Sequence, residues 1–266
     1  MKHLRIGFIG GGNMAEALIA GLVRAGHAPE ALTVVDVDEA RLAVLRDAWG
    51  VTTTSSHLKA VAGAQAVVLA VKPQQMDEAL GAIAPGLDAD ATVISIAAGV
   101  GIARLRRGLG RDVALVRVMP NTPCLVGAGM SVLYSEAKAE HRARAEYVLG
   151  SSGRTAWVDD EDMLHAVTAV SGSGPAYFFL LAELMQAAAK GLGLPEDLSR
   201  ELVAQTALGA GRMLAETGKS AGELRQQVTS PGGTTQAALE TMFEAGLPDT
   251  VRAAVAAAAR RSRELA

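Results

Sequence analysis

Cysteine is nearly missing from this sequence. Cys124 stands alone, so no disulfide can form within the chain. A lone thiol fits a reducing compartment, and a cytoplasmic location is expected. Aromatic residues make up only 3% of the chain, which argues against stacking surfaces for single-stranded nucleic acid. There is no long basic run and the formal net charge is −3, so neither nucleic acid nor an anionic membrane is an expected partner. No apolar run approaches the ~18 residues of a membrane span. The hydrophobic start "LRIGFIGGG" is too short and too rich in glycine for a signal peptide and reads as a strand and turn. Metal-ligand spacing is absent as well, and no metal is expected.

What the chain does have is apolar residues, at 50%, and a change of rhythm along its length. The runs "LRIGFI" (4–9), "LTVVDV" (32–37), "VTTT" (51–54), "AQAVVLAV" (64–71), "ATVISIA" (91–97) and "DVALVRVM" (112–119) alternate with helical patterns. Strands that are apolar throughout and separated by helices predict a parallel sheet covered on both faces. The expected fold is therefore α/β, a Rossmann-like doubly wound and mostly parallel sheet, with "GMSVLY" (129–134) and "TAWVD" (155–159) as two later edge strands. Beyond residue 160 every segment carries helical periodicity. The expected division is a dinucleotide-binding domain over 1–159 and an all-helical substrate and dimerisation domain over 160–266. The run "AYFFLLAELM" is too apolar to face water, and burial against helices of a partner subunit would cover it.

Gly10, Gly12 and Ala15 form a G-x-G-x-x-A turn between the first strand and first helix. Gly10 permits the tight turn, Gly12 lets the backbone approach a pyrophosphate, and Ala15 allows close helix–strand packing. With Gly11, Asn13 and Met14 they make the expected phosphate grip of a dinucleotide. Asp36 ends the second strand, where a carboxylate accepts from the ribose hydroxyls and repels a 2′-phosphate. Arg41 is the only cation nearby, and by swinging over it would soften that preference. NADH is favoured on these grounds, with NADPH left open. "AVKPQQ", "IAAGV" and "MPNTP" each carry Gly or Pro where a strand stops, and are placed to line the nicotinamide half. Lys72, in the first of them, reads equally as a surface lysine or a cofactor contact.

The helical half offers no convincing proton-transfer residue. His165 has apolar helical neighbours and Lys190 ends a helix, where a lysine needs no further reason. An iminium ion is already electrophilic and needs only hydride and orientation. The segment "TSPGGTTQAAL" (229–239) supplies a second glycine-rich turn that opens a helix. It serves either as a plain helix cap or as a grip on a small carboxylate.

Together "IGFIGGGNMAEALI", "AVSGSGPAYFFLLAE" (169–183) and "VTSPGGTTQAAL" resemble the Δ1-pyrroline-5-carboxylate reductase family, and "AVKPQ", "ISIAAGV" and "VRVMPNTP" follow in that family's order. The resemblance covers essentially the whole chain. It implies reduction of a small cyclic imine acid to proline by NADPH or NADH. It also implies a homodimer through the helical domain, often assembled into a ring such as a homodecamer. By that likeness Ser230, Gly232, Gly233 and Thr234 hold the substrate carboxylate, and Thr235 hydrogen-bonds the ring nitrogen as the catalytic hydroxyl. Ala97, Met119 and Asn121 lie near the nicotinamide, and Ala70, Val71, Lys72 and Pro73 along the cofactor. Asp36 departs from the small polar residue and Arg that many members carry. The alternatives are a hydroxy-acid dehydrogenase of the same layout, which needs a proton-transfer side chain, and a dinucleotide sensor without turnover, which needs no second anion turn.

Overall fold

The computed structural model describes residues 1–266. Its strands are β1 (Ile6–Ile9), β2 (Leu32–Val35), β3 (Thr52–Thr54), β4 (Ala66–Leu69), β5 (Thr92–Ser95), β6 (Ala114–Met119), β7 (Gly129–Tyr134) and β8 (Gly153–Trp157). They form one sheet in the order β3-β2-β1-β4-β5-β6-β7-β8. The strands from β3 to β6 are parallel, β7 pairs antiparallel with β6, and β8 runs parallel to β7. The six-strand portion is the order of a dinucleotide-binding sheet, with its crevice between the carboxyl ends of β1 and β4. Of the two later strands only β8 lies at an edge; β7 is paired on both sides.

Helices α1 (Asn13–Arg24), α2 (Glu39–Trp49), α3 (His57–Val61), α4 (Met76–Ile83), α5 (Ile102–Leu109) and α6 (Ala139–Gly150) cover the sheet. Alternate strand residues divide between two cores, as the two-residue period of a strand requires. Ile6, Phe8, Val34, Val68 and Ile94 pack with Leu18, Leu22 and Leu45 on one face. Ile9, Val35, Val67, Leu69 and Val93 pack with Val61, Leu80 and Leu105 on the other. Burying both faces leaves β1 and β4 apolar at every position, with Thr33, Thr92 and Ser95 the polar positions of β2 and β5.

The helical part comprises α7 (Met163–Val167), α8 (Gly174–Gly191), α9 (Glu196–Glu216), α10 (Ala221–Gln227), α11 (Thr234–Glu244) and α12 (Leu247–Glu264), with a π-helical turn over Thr168–Gly172. The chain divides into two compact units, residues 1–173 with 258–266, and residues 174–257. The switch to helical rhythm near residue 160 falls inside the first unit, because α7 packs on β7 and the last turn of α12 returns to it. There His165 Nδ1 lies 2.9 Å from Ser262 Oγ.

In the second unit α8 packs along α9. The α8 side chains Phe178 and Phe179 remain 69% and 67% exposed. The helical run Met163–Gly191 is long and apolar enough, by length and composition, to cross a membrane. This corrects the expectation that no stretch reaches that length. Glycine, serine and threonine break up the apolar run, yet they leave few charges in the helix.

Candidate active site

At the end of β1 the chain must turn sharply into α1, and the local geometry admits only glycine. Gly10 has φ +97°, and a Cβ there would lie 2.8 Å from the Ala70 carbonyl oxygen. Its N–H donates to Val35 O at 2.8 Å, and Ala70 N donates to Ile9 O at 2.8 Å, tying the turn to β2 and β4. A Cβ on Gly11 would meet Leu45 Cδ1 at 2.9 Å. Gly12 is different: it caps α1 in an extended conformation, and a Cβ there would stand in open space. No side chain caps α1, so the amides of its first turn are free to hold an anion. Asn13 is exposed, Met14 half-buried and Ala15 fully buried against the sheet. This is the environment a diphosphate requires.

A cavity of about 220 Å³ opens beside the turn, lined by Gly10, Gly12, Asp36, His57, Ala70, Val71 and Lys72 among others. The Asp36 carboxylate accepts from Gly11 N at 2.6 Å and from Asp38 N at 3.0 Å. Arg41 donates through Nε to Gly11 O and through Nη2 to Glu16 Oε2, both at 2.5 Å. That guanidinium holds the Glu16 carboxyl below the usual carboxylate range, against the opposing effect of burial. Trp49 Nε1 donates to the other Glu16 oxygen at 3.3 Å. The sequence reading missed this pair because its partners are distant in the chain and share no motif.

Pro73 opens a 3₁₀ turn after β4, and its carbonyl accepts from Arg104 Nη2 at 3.3 Å. Lys72 precedes it with an exposed side chain. Ala97 is buried at the end of the β5 segment. Two residues on, Gly99 has φ +73°, and a Cβ there would lie 2.7 Å from the Leu265 carbonyl oxygen. Met119 ends β6 with its side chain against the bare Cα of Gly172 in the π-turn. Asn121 is committed at both ends of its amide. Oδ1 accepts from Met130 N at 2.8 Å, and Nδ2 donates to Ser171 O at 3.1 Å. Its side chain therefore braces the loop. Nearby, the Glu161 carboxylate accepts from Ile102 N at 2.9 Å and from Arg117 Nη1 at 2.8 Å, fixing the start of α5.

The second turn lies in the other unit. Gly232 has φ +70° with open space around it, and Gly233 caps α11 without side-chain help. The Gly233 N–H donates to Ser230 O at 3.0 Å and the Gly232 N–H to Gln236 Oε1 at 2.8 Å. A Cβ on Gly233 would come 2.5 Å from Ser230 Oγ. The remaining donors are the first-turn amides of α11, led by Thr234 and Thr235, and the hydroxyls of Ser230, Thr234 and Thr235. Backbone and hydroxyl donors without a cation suit a small carboxylate.

The candidates for proton transfer are engaged elsewhere. Lys190 pairs with Glu196 at 3.0 Å. His165 is buried and bonded to Ser262, and burial, then the neighbouring Arg117 charge, lowers its pKa. Away from the site, Asp90, Glu140 and His141 bring ligand atoms within 4.8 Å of one another. Asp90 there is paired with Arg144 at 2.7 Å, and His141 Nδ1 lies 2.8 Å from Thr92 Oγ1.

Comparison with known proteins identifies the family. A family described as pyrroline-5-carboxylate reductase dimerisation matches residues 161–265, and one described as NADP oxidoreductase coenzyme F420-dependent matches residues 5–99. The chain is 43% identical to the pyrroline-5-carboxylate reductase of Haemophilus influenzae, over 100% of this chain and 98% of that one. A solved pyrroline-5-carboxylate reductase from Coxiella burnetii superposes with a TM-score of 0.94 at 38% identity, covering 98% of each chain. The Plasmodium falciparum pyrroline carboxylate reductase, solved with NADP bound, gives a TM-score of 0.86 at 30% identity, over 100% of this chain and 99% of that one.

Proposed function

The chain belongs to the pyrroline-5-carboxylate reductase family, and we propose from that premise how its two glycine-rich turns divide the work. The protein is an NAD(P)H-dependent oxidoreductase that reduces the C=N bond of 1-pyrroline-5-carboxylate to give L-proline, the last step of proline synthesis. The open face of Gly12 and the uncapped start of α1 receive the dinucleotide's diphosphate, aided by Gly10, Gly11, Asn13 and Met14. Asp36 takes the adenosine ribose hydroxyls. Ala70, Val71, Lys72 and Pro73 run along the cofactor, with Ala97, Met119 and the Asn121 backbone toward its nicotinamide end. When bound, the nicotinamide supplies the hydride that reduces the imine carbon.

Ser230, Thr234 and the amides that open α11 hold the substrate carboxylate. Gly232 and Gly233 let the turn close around it, and Gly232 N–H joins once Gln236 Oε1 moves aside. The Thr235 hydroxyl holds the ring nitrogen and so orients the imine. The substrate docks as its iminium ion, already protonated on nitrogen, so hydride addition gives the amine with no acid or base side chain; fixing two reactants in attacking geometry is worth ~7–11 kcal/mol, and positioning supplies much of the acceleration. The observation that carries this reading is the second uncapped, glycine-led helix start, which a dinucleotide sensor does not require; a hydroxy-acid dehydrogenase would need a proton-transfer side chain, and Lys190 and His165 are engaged elsewhere.

We further propose that residues 160–266 act as the substrate and dimerisation domain. The exposed Phe178, Phe179 and Leu181 of α8 support a homodimer through that domain, which closes into a ring, a homodecamer being the form the family likeness suggests. The same seam accounts for the long apolar helix without a membrane, and the lone cysteine supports a cytoplasmic setting. The deciding assay follows NADH and NADPH consumption with pyrroline-5-carboxylate and, separately, with 2-keto acids. Oxidation with the imine acid alone is expected. Oxidation with 2-keto acids alone would support the dehydrogenase reading, and nucleotide binding without turnover the sensor reading.

A further inference from the structure

The fold of this family does not dictate which nicotinamide nucleotide is used, and the relative from P. falciparum was solved with NADP. In this chain the adenosine end of the site carries its own answer. The Asp36 carboxylate is fixed by the Gly11 and Asp38 amides at 2.6 and 3.0 Å. Each oxygen keeps acceptor capacity for a ribose hydroxyl. A 2′-phosphate at the same place would meet this fixed negative charge and needs a free cation beside it.

Lys72 lines the cavity from beyond β4, whereas Arg41 lies against the turn itself and is not free. Its guanidinium is held by Glu16 Oε2 and by the Gly11 carbonyl, both at 2.5 Å. Trp49 Nε1 steadies the second Glu16 oxygen at 3.3 Å. The two charged side chains are only 22% and 28% exposed, so water competes poorly for the pair. Glu78 adds a second carboxylate to the lining of the cavity.

We propose that Glu16 is a specificity-determining residue: by holding Arg41 against the Gly11 carbonyl it withholds that guanidinium from a 2′-phosphate beside Asp36, and the chain prefers NADH to NADPH. This rests on the reductase reading only in requiring a nicotinamide nucleotide at the first turn. Glu16 touches no part of the nucleotide and acts through Arg41 alone.

The test is equilibrium binding of NADH and NADPH, followed by nucleotide fluorescence at constant ionic strength, for wild type, Glu16→Gln, Asp36→Ser and the double variant Glu16→Gln/Arg41→Ala. The NADH dissociation constant serves as each variant's control for folding. Wild type should bind NADH about tenfold or more tightly than NADPH, and Glu16→Gln should narrow that ratio by about tenfold by tightening NADPH. Asp36→Ser should narrow it further, and adding Arg41→Ala to Glu16→Gln should restore the wild-type ratio. Equal or tighter NADPH binding by wild type would overturn the proposal. So would a Glu16→Gln ratio within about twofold of wild type, or a gain that survives Arg41→Ala. Failure of every form to bind either nucleotide would instead overturn the reading of the first turn itself.

Discussion

The two glycine-rich turns open helices in the same way but are held differently. The first is enforced from within its own unit. Gly10 is pressed against the Ala70 carbonyl, Gly11 against Leu45, and the turn is hydrogen-bonded to β2 and β4. The second stands in the open: Gly232 has nothing near its missing Cβ, and the residues around it are largely exposed. One turn is preorganised by the core beneath it, and the other is held only by its own Ser230 and Gln236. In the proposed division of work, a nucleotide suits the rigid turn, and a small substrate that must enter and leave suits the open one.

Substitutions that treat the two turns alike should therefore fail to behave alike. Gly10→Ala forces a Cβ onto a backbone oxygen in a left-handed conformation and should abolish measurable NADH binding. The strain alone should cost ~1–3 kcal/mol in urea unfolding; retained NADH affinity would show that the turn is not enforced. Phe179→Glu puts a charge on the exposed face of α8 and should convert a dimer to a monomer in analytical ultracentrifugation. A surviving dimer would move the interface elsewhere.

Gly232→Ala meets only conformational strain. It should lower stability by about 1 kcal/mol while raising the KM for the imine acid and leaving NADH binding alone. The smallest effect concerns His165, whose pKa burial and Arg117 hold below the ordinary 6.5. A lowered native value means that stability is present above pH 6.5 and is lost as pH falls from there through the native pKa. Between pH 7.5 and 5.5 the wild type should lose about 1 kcal/mol or less through this group. His165→Asn should flatten that part of the slope, and an unchanged slope would assign it to another group.

Much of the fold was legible because its determinants are local. Apolar strands that alternate with helices specify a doubly wound sheet, and G-x-G-x-x-A lies at one turn. The antiparallel entry of β7 was not legible, since strand direction within a sheet leaves no mark on the strand's own composition. The site divides in the same way. Gly10, Gly12 and Asp36 announce themselves by position, and the structure brings them to one cavity. Arg41 reads as a free cation until Glu16 is seen beside it. Asn121 reads as a ligand contact until both ends of its amide are found in the protein's own hydrogen bonds. The deciding partners Glu16 and Ser171 lie 25 and 50 residues away along the chain, on elements whose placement only the folded chain reveals.

The central proposal is that the turn at 230–235 orients an imine for hydride from the nucleotide whose diphosphate sits at the first turn. NADH carrying deuterium at both C4 positions of the nicotinamide tests it directly when mixed with pyrroline-5-carboxylate and wild-type or Thr235→Val protein, with proline analysed by mass spectrometry. The account predicts deuterium on the former imine carbon with wild type. It predicts transfer slower by a factor of about 10² with Thr235→Val at unchanged NADH affinity. Proline without deuterium, or an unchanged rate in the variant, would contradict it.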